Sequence, residues 1–217
     1  MAFAKGSNPH HPGKNTEIRV EPIRDTRAID IIKEQLAHKS RDRCLFTLGI
    51  NTAFRANELL SITIGQVQDL NAGDALRIRQ TKTKKVRSVP LNSKVIDDIQ
   101  AWLGQHPACR TIPDPDCFLF VSQRGAVLTV PTVSNMVKTW CRNAKCYAAT
   151  SGLDIDLKGN FGSHTLRKTW GYHQRMHNNA QLPVLMDAFG HTTQRQTLQY
   201  LGIEEKEITE LYEQLEL

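Results

Sequence analysis

The chain has 217 residues, 40% of them hydrophobic and 6% aromatic, with a formal net charge of +6. That length suits one domain with at most an appendage, and the apolar fraction is enough for a core. No apolar run approaches the ~20 residues that span a bilayer, no long apolar stretch of a secretory leader follows Met1, and five cysteines without CxxC spacing argue against a disulfide framework or a thiolate zinc site. A soluble, cytoplasmic protein is expected.

Residues 1–24 are rich in Pro, Gly, Asn and charge and show no apolar period, so they are expected to form a flexible arm. "DTRAIDIIKEQLAHK" then offers Asp25 as an N-cap, with Ala28, Ile29, Ile32 and Leu36 near helical spacing. "RDRCLFTLGINTAF" and "RANELLSI" predict the next two helices. The texture changes at residue 75: "ALRIRQ" and "VRSVPL" read as two short strands, with "TKTKK" as the polar turn between them. "SKVIDDIQAWL" predicts a helix, "CFLFVS" a short strand-like run, and "VPTVSNMVKTWCRNAKCYAA" a long helix. "HTLRKTWGYHQRMH", "LPVLMDAF", "TQRQTLQYL" and "EKEITELYEQL" predict the remaining helices. The expected fold is mainly α with one small antiparallel β-sheet, an α+β chain without internal repeats.

Charge is unevenly placed. The last 15 residues hold six glutamates and one lysine, which leaves the rest strongly basic. A basic body with an acidic tail suits a polyanionic partner. Within the body, "RIRQTKTKKVR" carries six cations in eleven residues and no acid. It is either a solvated turn or a contact to phosphate, with Lys84, Lys85 and Arg87 as the candidate DNA-binding side chains.

Three other stretches hold chemistry-bearing residues. In "SHTLRKTW", His164 and Arg167 are three apart and share a helix face. There they either face solvent or grip an anion, arginine by two oxygens and histidine by a third bond. In "NTAFRANELL", Arg55 opens a helix and is either salt-bridged to Glu58 or held for a ligand. In "FGHTTQRQTLQYLGI", His191 and Tyr200 are nine apart. A phenol with a pKa near ~10 is a poor nucleophile unless cations stabilise the phenolate, and the arginines, lysine and histidines above could supply them. His173 and His177, in "HQRMH", have metal-ligand spacing without the glutamate of HExxH or an obvious third ligand. Nor is there a carboxylate cluster of the kind that holds ions in metal-dependent nucleases.

Taken in order, these stretches resemble the catalytic domain of tyrosine site-specific recombinases, the phage integrase family. "TAFRANELLSI" is similar to its first arginine box, "TKTKKVRSVPL" to its hairpin lysine box, "SHTLRKT" to its H-x-L-R box, and "FGHTTQRQTLQYL" to its L-G-H box with a tyrosine nine residues on. The likeness covers about residues 26–205. It implies that Tyr200 attacks a DNA phosphate to form a 3′-phosphotyrosyl link. It further implies that Arg55 and Arg167 hold the non-bridging oxygens, that Lys82 protonates the leaving 5′-oxygen, that His164 assists proton transfer and that His191 supports the phosphate. It implies no metal and no other cofactor, and as partners double-stranded recombination sites, other protomers of a synaptic tetramer and an accessory directionality factor, in a bacterial or phage-encoded system without membrane attachment. Ala53 and Phe189 depart from the family's usual glycine and leucine. The corresponding division is an arm over 1–24, a catalytic domain over 25–205, and an acidic amphipathic helix over 206–217 that docks on a neighbouring protomer or packs on its own domain. Two other readings stay open: a type IB topoisomerase, and a non-catalytic DNA-binding regulator on the same fold.

Overall fold

A computed structural model describes residues 19–79, 86–109 and 114–203. The predicted turn "TKTKK" with Lys82, Lys84 and Lys85, most of the arm, and the acidic segment 206–217 lie outside the described residues. So does Gln80, the predicted end of the first strand.

The described residues form α1 (Thr26–Gln35), α2 (Ser40–Thr52), the single turn α3 (Ala56–Leu59), β1 (Ala75–Arg79), β2 (Val86–Pro90), α4 (Ser93–Leu103), α5 (Val130–Thr150), α6 (Ser163–Asn178), α7 (Leu182–Phe189) and α8 (Gln194–Leu201). Starts are chemically marked. The Asp25 carboxylate accepts from the Arg27 amide, Asn92 from Val95, Thr129 from Thr132 and Thr193 from Gln196. β1 and β2 pair antiparallel, with Leu76 opposite Val89 and Ile78 opposite Arg87. Leu76 and Ile78 point into the core.

α2 lies at the centre, packed on α4 and α6, while α1 lies on α5. A Cβ at Gly49 would overlap the Leu166 side chain, so glycine lets α2 and α6 approach closely just before Arg167. One large apolar cluster joins α1 to α6 and the hairpin. A second, smaller one holds Tyr172, Leu185, Phe189, Leu201 and Ile203, with Ala53 as its contribution from the first half of the chain.

Three expectations change. The third helix is only four residues long, because the chain after it leaves to pair: Ile62 O accepts from the Leu119 amide and Thr63 bridges to Phe118. The run "CFLFVS" is buried at Leu119 and Phe120 but makes only isolated bridges, Thr63 to Phe118 and Val121 to Val127, and no strand. The body also begins before Asp25. Ile23 is wholly buried, its amide donates to Thr169 Oγ1 and its carbonyl meets His173 Nε2 at 2.9 Å. This segment is too short to show a period in sequence. The histidine spacing has the same explanation: His173 anchors it, with His177 stacked on His173 at 5.0 Å.

Candidate active site

The ends of two helices build the floor. α2 stops at Ala53, a non-glycine residue in the left-handed region (φ 55), and α7 stops at Phe189, before Gly190 (φ 66). Helix ends expose carbonyls without intrahelical partners, at the negative pole of the helix. Arg167, at 2% exposure, satisfies both: Nη1 donates to Ala53 O and Nη2 to Phe189 O, each at 2.6 Å. Its guanidinium lies 4.8 Å from the centre of the Phe189 ring. Burial lowers its pKa to about 10, still far above neutrality, so it stays charged. Two of its five N–H donors go to the carbonyls.

Arg55 joins this group from the N-cap of α3. Its amide donates to Glu58 Oε2 at 2.6 Å, its Nη1 lies 3.4 Å from Glu58 Oε1, and its Nη2 donates to the same Phe189 carbonyl at 3.3 Å. Both sequence readings of Arg55 therefore meet: it is paired with Glu58, yet its side chain is 39% exposed. Glu58, at 4% exposure, faces three arginines, with Arg87 Nη1 at 3.2 Å and Arg167 Nη1 at 3.9 Å from Oε2.

Tyr200 stands on α8 beside this cage. Its hydroxyl lies 3.2 Å from His164 Nδ1, in the first turn of α6. Its ring lies 5.2 Å from Phe189 and 5.1 Å from His191. Burial raises the phenol pKa, and the charges of Arg167 and Arg55 pull against that rise. The His164 pKa is lowered by the surrounding protein and by Arg167, Lys168 and Arg55. His191 is held to about 4 by burial and the two cage arginines, and its Nδ1 meets Thr197 Oγ1 at 3.1 Å. At neutral pH both imidazoles are uncharged, and the phenol keeps its proton.

Arg55, His164, Arg167, His191 and Tyr200 thus converge. Arg87 does not join them as a surface cation: its side chain points inward, onto Glu58 and over the Phe54 ring at 5.0 Å. Two residues escaped the sequence reading. Glu58 was noted only as a partner for Arg55. Lys168, at 5% exposure, places Nζ 4.8 Å from the centre of the Tyr200 ring. The run "HTLRKT" carries it one residue after Arg167, but nothing local says that it turns inward. Beside the tyrosine lies a cleft of about 370 Å³ lined by Arg19, His164, Lys168, His191, Gln199 and Tyr200 among others. Among the described residues no helix is long and apolar enough to cross a membrane.

The phage integrase family model matches residues 22–207. The chain is 32% identical over 189 residues to a probable integrase/recombinase, YoeC, of Bacillus subtilis (strain 168), covering 86% of this chain and 91% of that protein. It is 26% identical over 175 residues to tyrosine recombinase XerC of Shewanella sp. (strain W3-18-1), where the match covers 80% of this chain and 51% of the relative. The chain therefore spans about half the length of that XerC. Among solved structures, XerA recombinase superposes with a TM-score of 0.65 at 19% identity, over 95% of this chain and 66% of that one. XerH bound to a palindromic difH substrate, in a post-cleavage complex, gives 0.63 at 20% identity, over 90% and 53%. These two likenesses carry the fold: a mainly helical domain with a small antiparallel sheet.

Proposed function

The chain belongs to the phage integrase family, and from that premise we propose that it is a site-specific DNA recombinase whose nucleophile is Tyr200. The phenolic oxygen attacks the scissile phosphorus, the bond from phosphorus to the 5′-oxygen breaks, and a 3′-phosphotyrosyl link forms. His164, neutral and 3.2 Å away, accepts the phenolic proton. Arg55 and Arg167 hold the non-bridging oxygens, and His191 supports them with an uncharged hydrogen bond. Lys82, outside the described residues, protonates the leaving 5′-oxygen. Attack by a 5′-hydroxyl from a second strand reverses the step and joins new partners, with no net loss of a phosphodiester. Phosphoryl transfer of this kind asks the protein mainly for positioning and charge stabilisation.

The observation that carries this reading is the Tyr200 hydroxyl 3.2 Å from the His164 ring, beside two arginines that converge on the Phe189 carbonyl. Its setting would be the cytoplasm of a bacterium, on double-stranded DNA, with further protomers completing a synaptic assembly. Residues 25–205 would be the catalytic unit, and the acidic segment 206–217 would dock on a neighbouring protomer. The test is a nicked suicide duplex, randomised over its central positions and selected for capture by the protein. Wild type gives a DNA-linked band on a denaturing gel and Tyr200→Phe gives none. A band that persists in Tyr200→Phe overturns the assignment. Relaxation of a supercoiled plasmid without strand exchange between two captured sites points instead to a topoisomerase.

A further inference from the structure

We propose that Arg87 is a positioning residue of the active site, not a DNA contact: it ties the β-hairpin to the arginine cage and balances the charge of Glu58. This rests on the recombinase reading above and assigns a role within that same site.

The strand itself gives the direction. In β2, Arg87 and Val89 are the less exposed positions and alternate with exposed neighbours. Arg87 sits opposite Ile78, which is buried. A strand places alternate side chains on one face, so a charged residue has been sent to the core side, where an unpaired cation would be costly. It is met there on two sides. Nη1 donates to Glu58 Oε2 at 3.2 Å and to Ala53 O at 3.3 Å, while the guanidinium lies over Phe54.

Both acceptors are also used by the cage. Ala53 O takes the 2.6 Å bond from Arg167, and Glu58 receives Arg55 on its other oxygen. Arg87 therefore sits between the hairpin and the two residues that fix the phosphate grip. With Arg87 present, Arg167 Nη1 stands 3.9 Å from Glu58 Oε2 and is committed to the helix ends. Without it, the carboxylate has one cation fewer and draws Arg167 or Arg55 toward itself. The strand that follows Lys82 and Lys85 also loses its tie to the site.

A phosphate contact and a positioning role predict opposite results. Each phosphate contact that is lost makes the dependence of log K on log salt shallower by about 1. A misplaced grip leaves that slope alone and slows chemistry, by about 10- to 100-fold for displacements near 1 Å. Arg87→Met keeps an unbranched apolar chain but removes the charge and the guanidinium over Phe54, and Arg87→Lys keeps the charge without the planar fork. Binding to a short duplex is measured with Tyr200→Phe added, so that no covalent capture contributes. Covalent complex formation at saturating selected substrate is measured with Tyr200 intact.

The expected result is an unchanged salt slope in both variants, a 10- to 100-fold slower covalent step in Arg87→Met, and an intermediate rate in Arg87→Lys. A shallower slope with an unchanged rate overturns the proposal in favour of a phosphate contact, and no change in either measure overturns it as well. If Arg87→Met does not fold, Arg87→Lys alone decides: a slower covalent step at an unchanged slope supports the role, and a wild-type rate removes it. A wild-type chain that gives no covalent band sinks the recombinase reading, and this role with it. A normal wild-type band with unaffected Arg87 variants sinks only the role of Arg87.

Discussion

Arg167 and Tyr200 share one site but are secured in different ways. The arginine is 2% exposed, bonded to the carbonyl ends of α2 and α7 and laid over the Phe189 ring. The tyrosine rides on the eight-residue α8, backed by a small apolar cluster and bonded through its hydroxyl to His164. In the proposed reaction the phosphate grip would thus be fixed by backbone groups and a buried charge, whereas the nucleophile would be placed by side-chain packing. Elements held by fewer buried apolar contacts open more readily, so the cage should keep its shape under changes that shift the tyrosine.

Arg167→Ala attacks the fixed half and has the largest expected effect. Cleavage should fall about 10³-fold or more, the scale of losing a cation that stabilises a transferring phosphoryl group. Stability should fall too, because Glu58 loses a neighbouring charge and two helix-end carbonyls lose a charged donor. Single-turnover cleavage and urea unfolding read the two losses, and a rate within tenfold of wild type would break the comparison at its stronger side.

His164→Asn acts between the halves. Cleavage should slow about 100-fold, the lower end for a general base, and the acid limb of the pH profile should vanish. In wild type that limb should lie below pH 6.5, because His164 is held below its ordinary value. As pH falls through the lowered pKa, the ring gains a proton and no longer accepts one from Tyr200. His191 adds a stability effect of the same sign. It is neutral in the fold down to about pH 4 and titrates at 6.5 when unfolded. Folding stability should therefore drop as pH falls through that window, and urea titrations at its two ends measure the drop.

Gly171→Ala acts mainly on the packing behind the tyrosine, reaching Arg167 only through the Phe189 ring, and should have the smallest effect. A Cβ there overlaps the Phe189 ring and Leu201, a small-to-large change that costs about 1–3 kcal/mol. Hydrogen exchange should quicken in α7 and α8 and stay unchanged in α1 to α5, with DNA affinity near wild type. Equal quickening throughout would show that the two regions are one cooperative unit.

The candidate site was legible in sequence where its residues stand in short local runs. Arg55, His164, Arg167, His191 and Tyr200 lie in short runs whose order carried the family resemblance. Helices with strong caps, such as α1 behind Asp25, were also readable. Tertiary partners were not. Glu58 collects three arginines from three segments, and Lys168 is buried by packing that no window of sequence contains. Arg87 was read from the charge of its neighbourhood, while the alternation in "VRSVPL" already placed it on the face of Val89. The two departures from the family boxes now have locations. Ala53 occupies a left-handed position that suits glycine, and Phe189 supplies the ring beneath Arg167 and beside Tyr200.

The most direct measurement is the attachment point of the DNA. The trapped covalent complex would be digested with nuclease and trypsin, and the modified peptide sequenced by mass spectrometry. Cleavage after Arg195 and Lys206 releases the peptide that holds Tyr200. The account predicts the added nucleotide mass on Tyr200 alone. The same mass on Tyr147, Tyr172 or Tyr212, with Tyr200 unmodified, would contradict it.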